Sequence, residues 1–166
     1  MKTIITALTG LMLTAATFTT ATAAETKTNH YVLTNKAVAD AYHSIVVRGD
    51  VDIILVQGTS NLMTLEGYQS QLENLTLNVH NSTLYVNTKA KTKGKKPVVY
   101  IPVSDLRFLK VQGNSNVSTL GHLQAAHITI ELASECHVAI KSTGNISISE
   151  FGNQEYIVEK WDMAGL

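Results

Sequence analysis

The sequence has little of several features that would point to a particular class of protein. Among its 166 residues Cys136 is the only cysteine, so an internal disulfide is excluded and stability must come from packing and backbone pairing. Its 13 basic and 13 acidic residues balance, so no global field favours nucleic acid or anionic membranes. After residue 23 no apolar run approaches about 18 residues, so the sequence predicts no transmembrane segment.

The first residues have the pattern of a signal peptide, predicted over residues 1–23. Lys2 supplies the positive charge, residues 4–18 are apolar or small, and Ala21-Thr22-Ala23 is a small-x-small cleavage pattern. We expect cleavage after Ala23. No cysteine lies near this position to carry a lipid anchor, so the sequence predicts soluble export from a bacterial cell, to the periplasm, the cell surface or the exterior.

The rest of the chain is rich in short apolar segments that recur at a nearly constant spacing. From Val111 to Ile130 is 19 positions, and from Ile130 to Ile148 is 18. A repeat too short to bury its own apolar face must stack on its neighbours, which indicates a solenoid of short strands. The residues predicted to face inward are Leu109, Val111, Val117, Ile128, Ile130, Cys136, Val138, Ile140, Ile146 and Ile148.

Alternation of apolar and polar residues begins before this repeat. Residues 45–55 read as two strands joined by a turn at Arg48-Gly49-Asp50. We therefore predict an all-β fold, a right-handed β-helix-like solenoid with short strands and polar corners, over residues 42–150. A loose or edge-pairing leader over residues 24–41 precedes it. Residues 151–166 depart from the repeat and contain the single tryptophan, Trp161, so we expect them to cap the C-terminal end.

Several segments of this predicted solenoid together resemble the head GIN domain of putative autotransporter adhesins. They are residues 42–47, 51–58, 65–67, 72–77, 81–86, 99–102 and 109–117, in the order of that family. The resemblance implies a β-helix-like solenoid in an exported bacterial protein, with cell adhesion as the proposed role and no assigned catalytic residues. The corner at residues 132–135 lacks the glycines typical of the family, and longer members carry more coils.

A cluster of five lysines surrounds Gly94 between two predicted strands. The cluster is either a solvated loop or a binding patch for an anionic glycan, lipopolysaccharide or another acidic polymer, because a local cluster attracts polyanions even on a neutral protein. Binding of this kind should weaken as the salt concentration rises. The candidate binding residues are Lys89, Lys91, Lys93, Lys95 and Lys96.

Three other motifs could indicate integrin recognition or metal binding, but the residues around them do not favour these functions. Arg48-Gly49-Asp50 spells the integrin-recognition tripeptide, but a solvated turn selects the same residues. His122, His127 and His137 lie near one another in sequence without a carboxylate or thiol in register. With Cys136 facing inward and His137 outward, the two cannot hold one ion, so we predict no metal and no cofactor.

The function that the sequence favours is a non-enzymatic module that contacts a glycan, another anionic polymer or a surface protein. Adhesion is the role implied by the family resemblance. The alternatives are a small glycan-active enzyme of the polysaccharide lyase type and a structural envelope protein. The enzyme would use Glu131, His137 and Lys141, which are predicted on neighbouring outward positions. The oligomeric state is left open.

Overall fold

The computed structural model describes residues 29–89, 91, 94–133, 136–151 and 155–160. Over these residues the chain forms thirteen strands and one helical turn, which confirms the all-β class. The strands are β1 (Tyr31–Ala37), β2 (Ser44–Arg48), β3 (Asp52–Gln57), β4 (Leu62–Tyr68), β5 (Leu75–His80), β6 (Thr83–Thr88), β7 (Val98–Val103), β8 (Phe108–Gln112), β9 (Asn116–Leu120), β10 (His127–Ala133), β11 (His137–Ser142), β12 (Asn145–Phe151) and β13 (Glu155–Lys160), and the helix is α1 (Gln69–Glu73).

The strands form two sheets. Sheet A has the order β1-β4-β7-β3-β9-β11-β13, and sheet B has the order β12-β10-β8-β2-β6-β5. Five pairs of consecutive strands, which we call rungs, each place one strand in sheet B and the next in sheet A: β2/β3, β6/β7, β8/β9, β10/β11 and β12/β13. Neighbouring rungs pair in parallel, whereas β1, β4 and β5 add antiparallel strands at one end.

The rungs do not stack in chain order. The first rung, β2/β3, lies between β6/β7 on one side and β8/β9 on the other. From β8/β9 onward the stack follows the sequence through β10/β11 to β12/β13. The chain therefore adds its second rung to one side of the first and its third rung to the opposite side.

The core lies between the two sheets and is built from rows of stacked apolar side chains. Ile45 of β2 is in register with Leu84 and Leu109 in the rungs on either side, and all three are completely buried. The row continues from Leu109 to Ile130. Burial of one such side chain contributes about 1.5–3 kcal/mol, so the stacked rows are the main source of stability.

The residues predicted to face inward do so, but one of the two predicted spacings between repeats is wrong. Leu109 pairs with Ile130, 21 positions later, and Val111 pairs with Leu132, so the predicted 19-residue step between Val111 and Ile130 is wrong by two. The next step, from Ile130 to Ile148, is 18 as predicted. A slip of two residues leaves every side chain on its predicted face, because side chains alternate with period two. The predicted inward set is accordingly buried, with Ile146 and Ile148 partly buried.

The two ends of the described chain extend the sheets. Within the predicted leader, β1 pairs antiparallel with β4 and forms an edge of sheet A. Within the predicted cap, β13 pairs in parallel with β11, so the expected departure from the repeat is wrong over residues 155–160: the free backbone edge of β11 accepts a further strand in register. The signal peptide expected over residues 1–23 lies outside the described residues, as do residues 152–154 and 161–166 of the cap expected over residues 151–166.

Candidate functional site

One edge of the stack collects the turns that lead from sheet B to sheet A. In each rung the strand of sheet B ends there and the strand of sheet A begins there, so every rung passes between the sheets at the same place. We call this the corner edge and define it by residues 48–51, 89, 91, 94–97 and 113–115. It carries the Arg48-Gly49-Asp50 turn and the described part of the segment with the five lysines, residues 89–96, which we call the lysine loop.

The turn at Gly49 is held tightly between its neighbours in the stack. Gly49 has a φ of 98°, and a Cβ added to it would lie 2.2 Å from Oγ1 of Thr88. Ser115 Oγ donates a hydrogen bond of 2.6 Å to the Gly49 carbonyl, and Arg48 Nε donates one of 2.9 Å to Gln112 Oε1. The Arg48 and Gly49 part of the tripeptide is thus bound by adjacent rungs, which is the geometry of a packed turn.

Lys96 is also held by the corner edge. Its Nζ donates a hydrogen bond of 3.0 Å to Asn114 Oδ1 and lies 4.0 Å from Asp52 Oδ1, and its side chain is only 16% exposed. Asn114 and Asp52 belong to two different rungs. Lys96 therefore fixes the end of the lysine loop onto the stack.

Lys95 turns instead towards the outward face of sheet A. Its Nζ donates a hydrogen bond of 2.6 Å to the Tyr31 hydroxyl, lies 4.5 Å from the centre of the Tyr31 ring and is 3.7 Å from Glu66 Oε1. Tyr31 in turn donates a hydrogen bond of 2.6 Å to Glu66, and Tyr100 donates one of 3.3 Å. We call these four residues the Tyr31–Glu66 cluster.

The cluster changes the acidity of its charged members. The hydrogen bond from Tyr31, followed by the charge of Lys95, lowers the pKa of Glu66. The hydrogen bond to Tyr31 and the charge of Glu66 raise the pKa of Lys95. Burial raises the pKa of Tyr100, and the nearby Glu66 charge adds to this effect. The shifts of Glu66 and Lys95 favour the charged carboxylate and ammonium, and that of Tyr100 favours the neutral phenol, so all these hydrogen bonds are kept at neutral pH.

The five predicted binding lysines therefore have different roles. Lys95 and Lys96 bind to other parts of the protein, although Lys95 stays 61% exposed, whereas Lys89 and Lys91 are exposed and their side chains form no bond within the described residues. Lys93 lies outside the described residues. Arg48, exposed on β2, is in register with Asn87, two positions before Lys89 on the adjacent strand. The exposed cations at the corner edge are thus Arg48, Lys89, Lys91 and Lys95. Arg48 and Lys95 are hydrogen-bonded to other residues, whereas the side chains of Lys89 and Lys91 form no bond within the described residues.

The residues proposed for an enzyme do not meet. Glu131 lies on the outward face of sheet B and is bound to Lys110, with 2.7 Å between Oε2 and Nζ. His137 and Lys141 lie on β11, whose outward face belongs to sheet A. The expected neighbouring positions are wrong because β10 and β11, although consecutive, belong to opposite sheets. These three residues are therefore not placed to form one active site.

The remaining candidates are dispersed as well. His127 begins β10 in sheet B and His137 begins β11 in sheet A. Among the described residues no three His, Cys, Asp or Glu side chains are placed to hold a metal ion. Cys136, the residue before β11, is buried, and burial raises the pKa of its thiol. No helix in the described part of the chain is long and apolar enough to cross a membrane.

A cavity that the sequence did not predict opens at the edge opposite the corner edge. Its volume is about 370 Å³, and three chain segments that are far apart in sequence surround it. The residues that line it are Ala39, Asp40, Ala41, Tyr42, Gly58, Thr59, Ser60, Asn61, Pro102 and Ser104. No local pattern signals it, since none of these segments is unusual by itself.

Several crystal structures of bacterial proteins have a fold similar to that of this chain. Crystal structures of putative adhesins from Parabacteroides merdae and Parabacteroides distasonis share 19% identity with this chain, at TM-scores of 0.65 and 0.67. The alignments cover 77% and 79% of this chain but only 55% and 57% of those proteins, so it spans little more than half their length. A putative lipid binding protein from Parabacteroides distasonis has a TM-score of 0.53 at 15% identity, over 76% of this chain and 62% of its own. At these identities the likeness concerns the fold alone.

Comparison by sequence identifies the family. No curated protein gives a significant match to the chain. The family of putative auto-transporter adhesins with a head GIN domain matches residues 41–155, which is more than half of the sequence and agrees with the resemblance inferred from its strand pattern. The chain therefore belongs to the head GIN domain family of putative auto-transporter adhesins.

Proposed function

We propose that this protein is an exported, non-enzymatic adhesion module that binds an anionic polymer through the exposed cations of the corner edge. The observation that carries the proposal is the division of the lysine loop. Lys95 and Lys96 are bonded to other parts of the protein and fix the loop in place, whereas the side chains of Lys89 and Lys91 are exposed and form no bond within the described residues. A loop fixed near one end presents its free charges at lower entropic cost than a loose loop does.

The fold supplies the scaffold for this role. The parallel stacking of rungs supports the predicted right-handed β-helix-like solenoid over residues 42–150, and right-handed crossovers are the general rule for parallel strands.

Export to the periplasm or the cell surface rests on the signal peptide predicted to be cleaved after Ala23. Sequencing of the secreted protein from its N-terminus should begin at Ala24, and retention of residues 1–23 would contradict export by this route.

A polyanion would be attracted only by the local charges of the corner edge, since the whole chain has no net charge. Asp52 is engaged by Lys96 and by a hydrogen bond of 2.8 Å from Asn116, so its carboxylate does little to offset Lys89 and Lys91. Exposed charges are screened over about 8 Å at physiological ionic strength. Binding to a polyanion should therefore be strong at low salt and should decline steeply as salt is added.

The test compares two double variants that change the net charge equally. Lys89→Ser with Lys91→Ser removes two cations from the corner edge, and Lys36→Ser with Arg107→Ser removes two exposed cations elsewhere. The probes are heparin and purified lipopolysaccharide, with binding measured by calorimetry at several salt concentrations. We expect the first variant to bind about tenfold more weakly or worse, from about 1 kcal/mol per lost charge contact, and the second to bind as the wild type does. Equal weakening in both variants, or binding independent of salt, would contradict the proposal.

A further inference from the structure

The cavity opposite the corner edge has a structural cause in the pairing of β4 with β7. These strands pair from Glu66 and Val98 to Thr64 and Tyr100, and the pairing stops there. Two positions further along β7 stands Pro102, which has no N–H to donate and cannot continue the ladder. The start of β4 and the turn before it therefore separate from β7, and the cavity lies in the space between them.

The walls of the cavity are held in place by bonds between its three segments. Val38 N donates a hydrogen bond of 3.0 Å to the Asn61 carbonyl, and Gly58 N donates one of 2.9 Å to the Val103 carbonyl. The Tyr42 hydroxyl donates to the carbonyl of Pro102. Burial raises the pKa of Tyr42 to about 12, so this hydroxyl keeps its proton. The cavity is therefore formed before any ligand enters it.

Several polar side chains in the cavity are available to a ligand. Within the described residues, the side chains of Asp40, Thr59, Asn61 and Ser104 form no hydrogen bond or ion pair. They provide a carboxylate, an amide and two hydroxyls, which can together accept and donate hydrogen bonds. These groups stand beside the Tyr42 ring and small apolar residues, a combination of oriented polar groups with apolar surface that is usual in small-molecule sites.

The charge, polarity and volume of the cavity limit the kind of ligand that it can bind. No lysine, arginine or histidine lines the cavity, and Asp40 is its one charged residue, so an anionic ligand would be repelled. Four polar side chains make the site unsuited to a purely apolar ligand, because they would lose water without gaining partners. A volume of about 370 Å³ is near the lower end of the range for ligand pockets. A neutral, hydroxyl-rich molecule of the size of one sugar residue satisfies all three conditions.

We propose that this cavity binds a single neutral sugar residue of a glycan. The Asp40 carboxylate and the Asn61 amide bind its hydroxyl groups, and the Tyr42 ring contacts its apolar face. The site is separate from the corner edge in position and in charge preference. It would allow the protein to contact a neutral sugar and an anionic polymer at the same time.

The experiment uses methyl glycosides of glucose, galactose, mannose and N-acetylglucosamine as probes, observed by protein NMR on the mature chain. We expect at least one glycoside to shift resonances of residues 39–42, 58–61 and 102–104 with millimolar affinity. Binding should not change between about 0.05 and 0.5 M salt, because no charged ligand is involved. The double variant Asp40→Ala with Asn61→Ala should bind about tenfold more weakly or worse.

Two further variants make the result decisive. Ala39→Trp places a large side chain at an exposed position of the lining and should abolish binding without unfolding the protein, as circular dichroism will show. The corner-edge variant Lys89→Ser with Lys91→Ser should bind the glycoside normally, so failure of this proposal and failure of the proposed function can be told apart. The inference is overturned if no glycoside shifts these resonances at about 20 mM, or if Ala39→Trp binds as the wild type does.

Discussion

At the scale of single residues, close backbone packing limits which side chains the turns of this protein can accept. Gly144 lies between β11 and β12, and a Cβ added there would come within 1.8 Å of the Ala125 carbonyl oxygen and 2.5 Å of that of Ala126. Both atoms belong to backbone, which cannot move aside as a flexible side chain does. The neighbouring Asn145 N donates a hydrogen bond of 3.1 Å to the same Ala126 carbonyl, which holds the two segments together.

We therefore predict that Gly144→Ala lowers the free energy of unfolding by about 2–3 kcal/mol, as overpacking of a tight site does. Urea denaturation followed by circular dichroism measures the loss. Gly58→Ala is the matched control, since a Cβ there meets no atom within 4 Å and its φ needs no glycine. The control should stay within about 0.5 kcal/mol of the wild type. A Gly144→Ala protein as stable as the control would show that the backbone at Ala125 yields easily.

At the scale of elements, the attachment of β1 depends on its side chains as well as on its backbone. It lies at the edge of sheet A with one neighbour, β4, and most of its residues are exposed. Besides this single ladder, Tyr31 of β1 is hydrogen-bonded to Glu66 of β4 and to Lys95 in the Tyr31–Glu66 cluster. A strand with so little buried surface should open far more often than the strands of the core.

The pKa shifts in the cluster predict how the attachment of β1 depends on pH. The pKa of Glu66 is lowered, so its contribution is complete above the ordinary value of 4.5 and is lost as pH falls through the shifted value. The pKa of Lys95 is raised, so its contribution is complete below 10.5 and is lost as pH rises above that value. We expect the amide protection factors of β1 to be highest between these limits.

Glu66→Gln should lower the protection factors of β1 at neutral pH and remove most of their decline in acid. Hydrogen exchange followed by mass spectrometry measures both effects. Glu131→Gln is the control, because Glu131 pairs with Lys110 on the outward face of sheet B and has no contact with β1. An equal effect of the two substitutions on β1 would mean that the cluster does not hold the strand.

At the scale of the whole molecule, the cost of losing a core side chain should depend on its position in the stack. Ile130 is completely buried, with Leu109 on one side and Ile148 on the other. Ile148 lies on β12, the last strand of sheet B, and is only partly buried. We predict a loss of about 3–4 kcal/mol for Ile130→Ala and about 1–2 kcal/mol for Ile148→Ala, measured by urea denaturation. Equal losses would indicate that another part of the molecule covers β12.

Much of the fold could be predicted from the sequence because its main signal is local. Alternation at Ile45, Val47, Ile53 and Leu55 marks strands whatever their partners are, and all four residues are buried. The order of the rungs could not be predicted, because nothing near β2 shows which strands will lie on its two sides. The register at Val111 was wrong for a similar reason, since a slip of two residues changes no inward position.

The candidate sites were harder to predict, because they depend on contacts between distant residues. The lysine loop was visible as a run of charge, but the partners of Lys95 and Lys96 are Tyr31, Glu66, Asn114 and Asp52. These pairings decide which lysines remain exposed. The cavity was even harder to predict from the sequence, because it is lined by three segments that only the fold brings together.

The position of the first rung inside the stack has a consequence for how the chain reaches its native state. Ser44 of β2 is in register with Thr83 on one side and with Phe108 on the other, so β2 gains its second neighbour only after a further 64 residues of chain have been made. Parallel pairing across such separations is slow, because long loops must close before any contact is gained. During synthesis β2 and β3 therefore expose open edges that can pair with other chains. A protein built in this way should depend on binding by a chaperone until its third rung is complete.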